Sequence, residues 1–392
     1  MNVSTLKGGL SNFFLNKRNV ILIYLLLAII AAIKQYTRGS FNNYLIFKHV
    51  YWHSVNFQNL YIAYPEYGDT NHYGPVFSLL IAPFALLPDG FGMALWNIAN
   101  MSVLLCGIFS LPLSLNNRII IAWICAHEAL TALFSFQFNI ALTGFILLTF
   151  SYIYKQKEAR SAFFIVLGTL VKLYGIVGLA FFFFSKHKVR FILWGIASGL
   201  LLFALPMLLS SPSFVLQSYV DWYNSLVHKN AVNANLNSGQ DICVMGLARR
   251  ALGNSDIPNL PFLATGLVLF AVPYLRIKQY GYLSFQLMLL ASTLIFTVIF
   301  SSGSESPTYI IAFAGVAIWF LNKEGNFANW RIFLFVFAVL LTSFSPSDLF
   351  PRFIRENYVQ PYSLKALPCV IIWLDIVYQM VFKDFRSYSL NK

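Results

Sequence analysis

Charge is what this chain has least of. Only 10% of its 392 residues are Asp, Glu, Lys or Arg, while 58% are hydrophobic; an ordinary soluble domain carries about 25% charged residues. A single water-soluble core cannot hide that much apolar surface, so a soluble enzyme is excluded. Cysteine is almost as scarce. Cys106, Cys125 and Cys369 fall in apolar runs and Cys243 in a polar stretch, so no pair points to a disulfide or a cysteine-based metal site. There is no Walker loop, no Gly-rich dinucleotide motif and no serine-nucleophile elbow. His49 and His53 lie one helical turn apart, but no HExxH pattern or third ligand accompanies them, so a divalent metal is not expected. No soluble cofactor is implied either. Tandem repeats and low-complexity linkers are missing as well.

What is present is a series of apolar runs near the length that crosses a bilayer, about 20 residues. They predict an all-α, polytopic transmembrane bundle of about 11–13 spans, a single integral membrane domain over 1–392. Spans are expected near 19–36, 91–112, 118–135, 139–154, 160–172, 173–185, 190–209, 260–275, 281–300, 307–321, 330–344 and 365–382. The first follows a basic stretch and has no small-residue cleavage site behind it, so it reads as a retained span. The run 75–88 is short and broken by Pro83, which suggests a re-entrant or half-span.

Alternating the spans puts most basic residues on one side: Lys7, Lys17 and Arg18, Arg118, the turns 155–160 and 186–190, Arg276 and Lys278, 322–331, and Lys383, Arg386 and Lys392. By the positive-inside bias that side is cytoplasmic. The net charge of +13 then reflects topology and not nucleic-acid binding. The outer loops become 37–74, 210–259, 301–308 and 345–364, and the chain is expected in a bacterial inner membrane. In the first of these loops Tyr44, Phe47, Tyr51 and Val55 share a helical stripe, as in a helix lying along a membrane surface.

The outer loops collect the candidate chemistry. In "YPEYGDTNHYGPVFSLLIAPFALLP", residues 64–88, Glu66, Asp69 and His72 stand just outside an apolar run. A carboxylate there can act as general base toward a hydroxyl; "YGDTN" is equally good turn chemistry. Lys172 sits between two short apolar segments that meet at "VKLYG". A lysine at that depth is expensive and suits a phosphate as a point charge, unless it snorkels to the interface. Gln137 and Asn139 can bind sugar hydroxyls or cap a helix, and Glu305 is placed similarly. Asn237, Gln240, Asp241, Arg249 and Arg250 share one loop, where the arginines suit phosphate or anionic headgroups. His127, Glu128 and Asp375, within apolar runs, read as structural pairing groups.

These residues together resemble a known pattern. The loop ending in residues 60–88, "WNIANMSVLL" at 96–105, "QFNIALTGFILLTFSYIYKQKEARSAFFIVLGTLVKLYG" from Gln137, and "WYNSL" followed by "NLNSGQDICVMGLARRAL" are similar in order and spacing to glycosyltransferase family 87. This is the polyprenol-phosphate-mannose-dependent, mannosyltransferase-like group of the GT-C superfamily. The resemblance implies transfer of a hexose such as mannose, with inversion, from a polyprenyl-phosphate donor to a glycan or glycolipid on the extracytoplasmic face. A loop carboxylate would take the acceptor proton: Asp69 first, beside His72 and Tyr73, and Glu66 second. Lys172 would match the family's lysine, and Gln137 and Asn139 its amide pair. The family usually carries an Asp soon after the first span; here Asn43, or Asn42, stands in its place. A lipid-linked-glycan transporter or flippase, a non-catalytic degenerate transferase and an O-antigen ligase or polymerase are the alternatives.

Overall fold

A computed structural model describes residues 13–388 apart from 324 and 326; Lys7, Glu324 and Lys392 lie outside the described residues. Among the described residues there are helices and no β-strand. Most expected spans become helices near their expected borders: α1 (Lys17–Thr37), α4 (Asp89–Ser110), α5 (Leu115–Phe134), α6 (Asn139–Tyr154), α7 (Glu158–Val171), α8 (Lys188–Ala204), α11 (Leu260–Ala271), α12 (Leu283–Ile299), α13 (Tyr309–Leu321), α14 (Asn329–Phe337), which a π-helical stretch continues over Ala338–Phe344, and α15 (Leu367–Phe382). Between them lie α2 (Asn42–Val55), α3 (Phe77–Ala85), α9 (Pro212–Asn233) and α10 (Val244–Leu252).

Among the described residues five helical stretches are long and apolar enough to cross a membrane, and six shorter apolar helices have 10–17 residues. The two sets are used differently. On α1, Leu22, Leu26, Ile30 and Ile33 are exposed while Val20, Tyr24, Ala28, Ala31 and Ala32 are buried; the small inner residues let neighbouring backbones approach. On α8, Ile192, Leu193, Ile196, Leu200 and Leu201 are likewise exposed. An exposed apolar belt of this size belongs in lipid. In contrast α6, α12 and α13 are buried almost all round, as expected of helices apolar on every face. The chain is an integral membrane protein. The half-span expected at 75–88 forms as α3, nine residues including Pro83, about 13 Å long and too short to cross.

The basic turns gather at one end of the bundle. Lys155 Nζ donates to the Ser110 carbonyl at 3.2 Å, Lys186 N–H to Gln156 at 2.8 Å, and Arg118 to the Phe109 and Leu113 carbonyls at 2.7 Å. Phe184 packs on Tyr280, which brings in the turn holding Arg276. At the opposite end of α6 and α7 lie Asn139 and Lys172.

The ionisable groups that the sequence places within apolar runs, His127, Glu128 and Asp375, each have a partner. Lys365 Nζ lies 3.0 Å from Glu128 Oε1, with both side chains buried. His127 Nδ1 is 3.1 Å from Ser343 Oγ, and Trp319 Nε1 donates to Asp375 at 2.8 Å. The Glu128–Lys365 pair clamps α5 to the start of α15. Removing one partner strands a buried charge at a cost of about 3–5 kcal/mol, whereas replacing both with apolar groups is close to neutral. Lys365→Met is therefore expected to lower the unfolding midpoint in detergent sharply, and the double variant Glu128→Leu, Lys365→Met to recover most of the loss. A double variant as damaged as the single one contradicts this.

Candidate functional site

Tight turns and close glycines bring the expected residues together. Lys172 has an extended backbone, φ −149° and ψ 123°, that ends α7. The chain then turns back as a 3₁₀ helix, Leu173–Phe184, and a Cβ on Gly175 would collide with the backbone of Gly168. The same break is pinned from outside. Gly74 N–H donates to the Val171 carbonyl at 3.0 Å, and a Cβ on Gly74 would run into the Leu170 carbonyl. The 64–76 loop is thus held beside Lys172 by backbone contacts that only glycine permits.

Upstream, Asn42 grips the backbone of Gly68 with both ends of its amide, accepting from N–H at 2.8 Å and donating to C=O at 2.6 Å. The next residue, Asp69, takes a left-handed φ of 71°. That turn directs Asp69 to the wall of a cavity of about 330 Å³, which Asn43, His72, Tyr73, Gln137, Lys172 and Glu305 also line. Its size falls in the range of small-molecule sites, about 300–1,000 Å³.

Within the cavity the polar groups form two linked sets. Lys172 Nζ donates to Asn139 Oδ1 at 2.9 Å and sits 5.6 Å and 5.1 Å from the ring centres of Tyr73 and Tyr174, a cation–π cradle. Tyr73 Oη donates to Gln137 Oε1 at 3.1 Å, and Gln137 Nε2 donates to Glu305 Oε1 at 2.8 Å. Burial pushes the Glu305 carboxyl above its ordinary range, against the pull of Lys172 and Lys229. At the mouth, Lys229 Nζ lies 3.3 Å and His72 Nε2 3.9 Å from the Asp69 carboxylate. His72 Nδ1 is 2.8 Å from Ser225 Oγ.

Burial first, then Lys229, lowers His72 to about 4; Asp69 opposes this, and Lys172 and His228 add to it. The ring is therefore neutral at pH 7, able to orient or accept but not to supply a cation. An unfolded histidine titrates near 6.5. Between about 6.5 and about 4 the unfolded chain takes up a proton that folded His72 refuses, so stability falls as pH falls through that window. The drop in Tm from pH 7 to pH 5 is expected to be smaller in His72→Asn than in the unaltered protein; equal drops contradict it.

Other expected residues lie elsewhere. Glu66 is exposed and does not line the cavity. Asn139 is wholly buried behind it, where it holds Lys172. Asn237 is exposed and outside the cavity. Asp241, Arg249 and Arg250 are buried and spent on their own loop. Arg249 Nη1 pairs with Asp241 Oδ2 at 2.6 Å, and its other nitrogens reach the Ile257 carbonyl and Asn259. Arg250 donates to the carbonyls of Ser238, Gln240 and Asp241. With their donors turned inward, the arginines fold the 238–259 loop and are not free for a phosphate. Asn43 lines the cavity but donates its amide to the Ser135 carbonyl at 2.9 Å; an Asp there would face that carbonyl with no proton to give.

The sequence reading missed α9. Residues 210–259 looked like loop, yet Ser211 caps a 22-residue helix that opens on Pro212, a sound helix start. Its Leu226, Lys229, Asn230 and Asn233 line the cavity at the i, i+3, i+4, i+7 spacing of one helical face. That spacing was the available signal.

Beside Tyr174 the cavity adjoins an apolar groove of about 460 Å³, walled by Ile176, Val177, Leu260, Leu263, Phe296 and Phe300. The two share Leu173, Tyr174, Asn230, Ser301 and Ser302. The sequence profile of glycosyltransferase family 87 matches residues 71–302, more than half of the chain. Asp69 and Glu305 stand just outside the matched stretch. None of the curated proteins compared matches the chain.

Proposed function

The chain belongs to glycosyltransferase family 87 and is a membrane glycosyltransferase; from that premise we propose that it moves a hexose, such as mannose, from a polyprenyl phosphate to a glycan or glycolipid hydroxyl on the extracytoplasmic face. The observation that carries this reading is the junction of the charged cavity with the apolar groove. A lipid phosphate sugar has both characters in one molecule. Its isoprenoid chain suits the groove beside Phe296 and Phe300, its phosphate the ammonium of Lys172, and its sugar hydroxyls the amides and carboxylate of Gln137, Asn233, Gln240 and Glu305. The basic turns at the other end of the bundle support the sidedness by the positive-inside bias.

In the proposed step the acceptor oxygen attacks the anomeric carbon from the face opposite the phosphate. The new C–O bond forms as the bond to the phosphate oxygen breaks, with inversion. The electron pair leaves on the lipid phosphate, whose growing charge Lys172 stabilises. The acceptor proton passes to the Asp69 carboxylate, which Lys229 keeps close to the mouth. Tyr73 and Asn139 position Lys172 and Gln137 and do not touch the reacting atoms. No metal or soluble cofactor takes part in this scheme.

The test is sugar transfer by purified, reconstituted protein from synthetic polyprenyl-phosphate mannose, with glucose- and galactose-bearing donors alongside. Time-dependent release of polyprenyl phosphate coupled to a new glycoside is expected with one of them. Release with none, from folded protein, removes this reading and favours a carrier or binding role for the same cavity.

A further inference from the structure

The cavity has a second neighbour. Asp69, Thr70, His72 and Lys229 line the cavity on one side, and on the other they line a separate open cleft of about 560 Å³. Helix α9 supplies the facing wall with Asp221, Asn224, Ser225 and His228, again at i, i+3, i+4, i+7. Two of these are set by hydrogen bonds. Asp221 accepts from Asn59 at 3.1 Å and Gln217 at 2.9 Å, and Ser225 holds His72. Asn224 and His228 are exposed. Ile62, Ala63 and Val232 add apolar surface.

We propose that this cleft is the acceptor subsite, and that it takes a terminal, uncharged sugar whose hydroxyl reaches Asp69 across the shared wall. The proposal rests on the transferase reading above. Amide, hydroxyl, imidazole and carboxylate groups offer both donors and acceptors, as sugar hydroxyls require, and the small apolar residues suit the C–H face of a pyranose. An anionic acceptor is disfavoured. Asp221 repels it, and Lys229 is already paired with Asp69. The apolar groove opens on the other side of the cavity, so donor and acceptor approach from opposite sides and meet at the one carboxylate, Asp69, common to both chambers. The sugar itself could belong to a soluble glycan or to a glycolipid headgroup.

The test uses Asn224→Trp and His228→Trp in full-length protein in nanodiscs, positions where a larger side chain fills the cleft without entering a packed core. Polyprenyl-phosphate mannose is supplied with methyl disaccharides of gluco, galacto and manno configuration, or with a dialkyl glycolipid bearing the same sugars. Water competes with sugar as acceptor, so the ratio of transfer to hydrolysis is read. The ratio is expected to fall about tenfold in both variants. A ratio within twofold of the unaltered protein, or parallel loss of both reactions, overturns the proposal. A lower acceptor KM for the glycolipid identifies a headgroup, and equal values a soluble glycan. Binding is read separately by Asn224→Cys. A maleimide should label the introduced thiol at least threefold more slowly with the best disaccharide and at an unchanged rate with inorganic phosphate. Protection by phosphate alone, or by no sugar, overturns the cleft assignment. Protection by sugar in a protein that neither transfers nor hydrolyses any donor keeps the cleft and rejects the transferase reading instead.

Discussion

Asp69→Asn is expected to reduce sugar transfer by about 10²–10⁴-fold, the usual contribution of a positioned general base, and to leave the fold intact. The substitution is unusually clean at this position. Asp69 has a φ of 71°, and Asn is among the few side chains that tolerate the left-handed region. The amide oxygen can still accept from Thr70 N–H, now 2.8 Å away. What disappears is the charge and with it the ion pair to Lys229. That pair is largely exposed on the aspartate side, and exposed pairs contribute about 0–1 kcal/mol, so Tm should scarcely move. The measurement is single-turnover transfer with the donor bound, which separates chemistry from product release. A rate within threefold of the unaltered protein would remove Asp69 as base. Glu305, the other carboxylate in the cavity, would then be the group to replace.

The second large effect is expected from Lys172→Met. Methionine keeps the length and apolar stem of lysine but cannot meet a charge developing on phosphate. Loss of one such stabilising group costs about 10²–10³-fold in rate. On the proposed role of Lys172 at the leaving group in the transition state, kcat should fall more than KM rises. A structural cost accompanies it. Asn139 Oδ1, buried with its residue, loses the donor at 2.9 Å, and an unsatisfied buried acceptor costs about 1–3 kcal/mol. Asn139→Leu in the Lys172→Met background removes the orphaned amide and should restore part of the Tm without restoring activity. A Lys172→Met protein with full activity refutes the leaving-group role, and recovery of activity in the double variant shows that only folding was at stake.

The two predictions draw on different amounts of sequence information. Lys172 was conspicuous because a lysine within apolar sequence is costly wherever it lies, and cost alone marks it. The carboxylates were harder. Glu66 and Asp69 are three residues apart in the same polar turn, and composition treats them alike. The left-handed backbone at Asp69 and the grip of Asn42 on Gly68 send one toward the cavity and leave the other in solvent. The paired arginines misled for a related reason. Arg249 and Arg250 have the charge for a phosphate, but the 238–259 loop curls round them, and its carbonyls, the Asp241 carboxylate and the Asn259 amide take up most of their donors. Lys229, on a helix that the sequence disguised as loop, drew no notice until α9 was seen to form the wall between two chambers.

By itself the sequence determined the solvent and the periodicity: a membrane protein, all helical, with span borders given by the length of apolar runs and a basic end given by where Lys and Arg recur. These are local properties, legible because hydrophobicity and charge act on each segment independently of its partners. Tertiary structure alone decided which polar groups share a cavity. Gln137, Glu305, Lys172 and Asp69 meet because helices of different length, a broken one among them, end at the same level, and because glycines at 74 and 175 allow backbones to touch. Several of these contacts, Gln137 to Glu305 and Asp69 to Lys229 among them, join residues 168 and 160 positions apart, and no spacing along the chain encodes them.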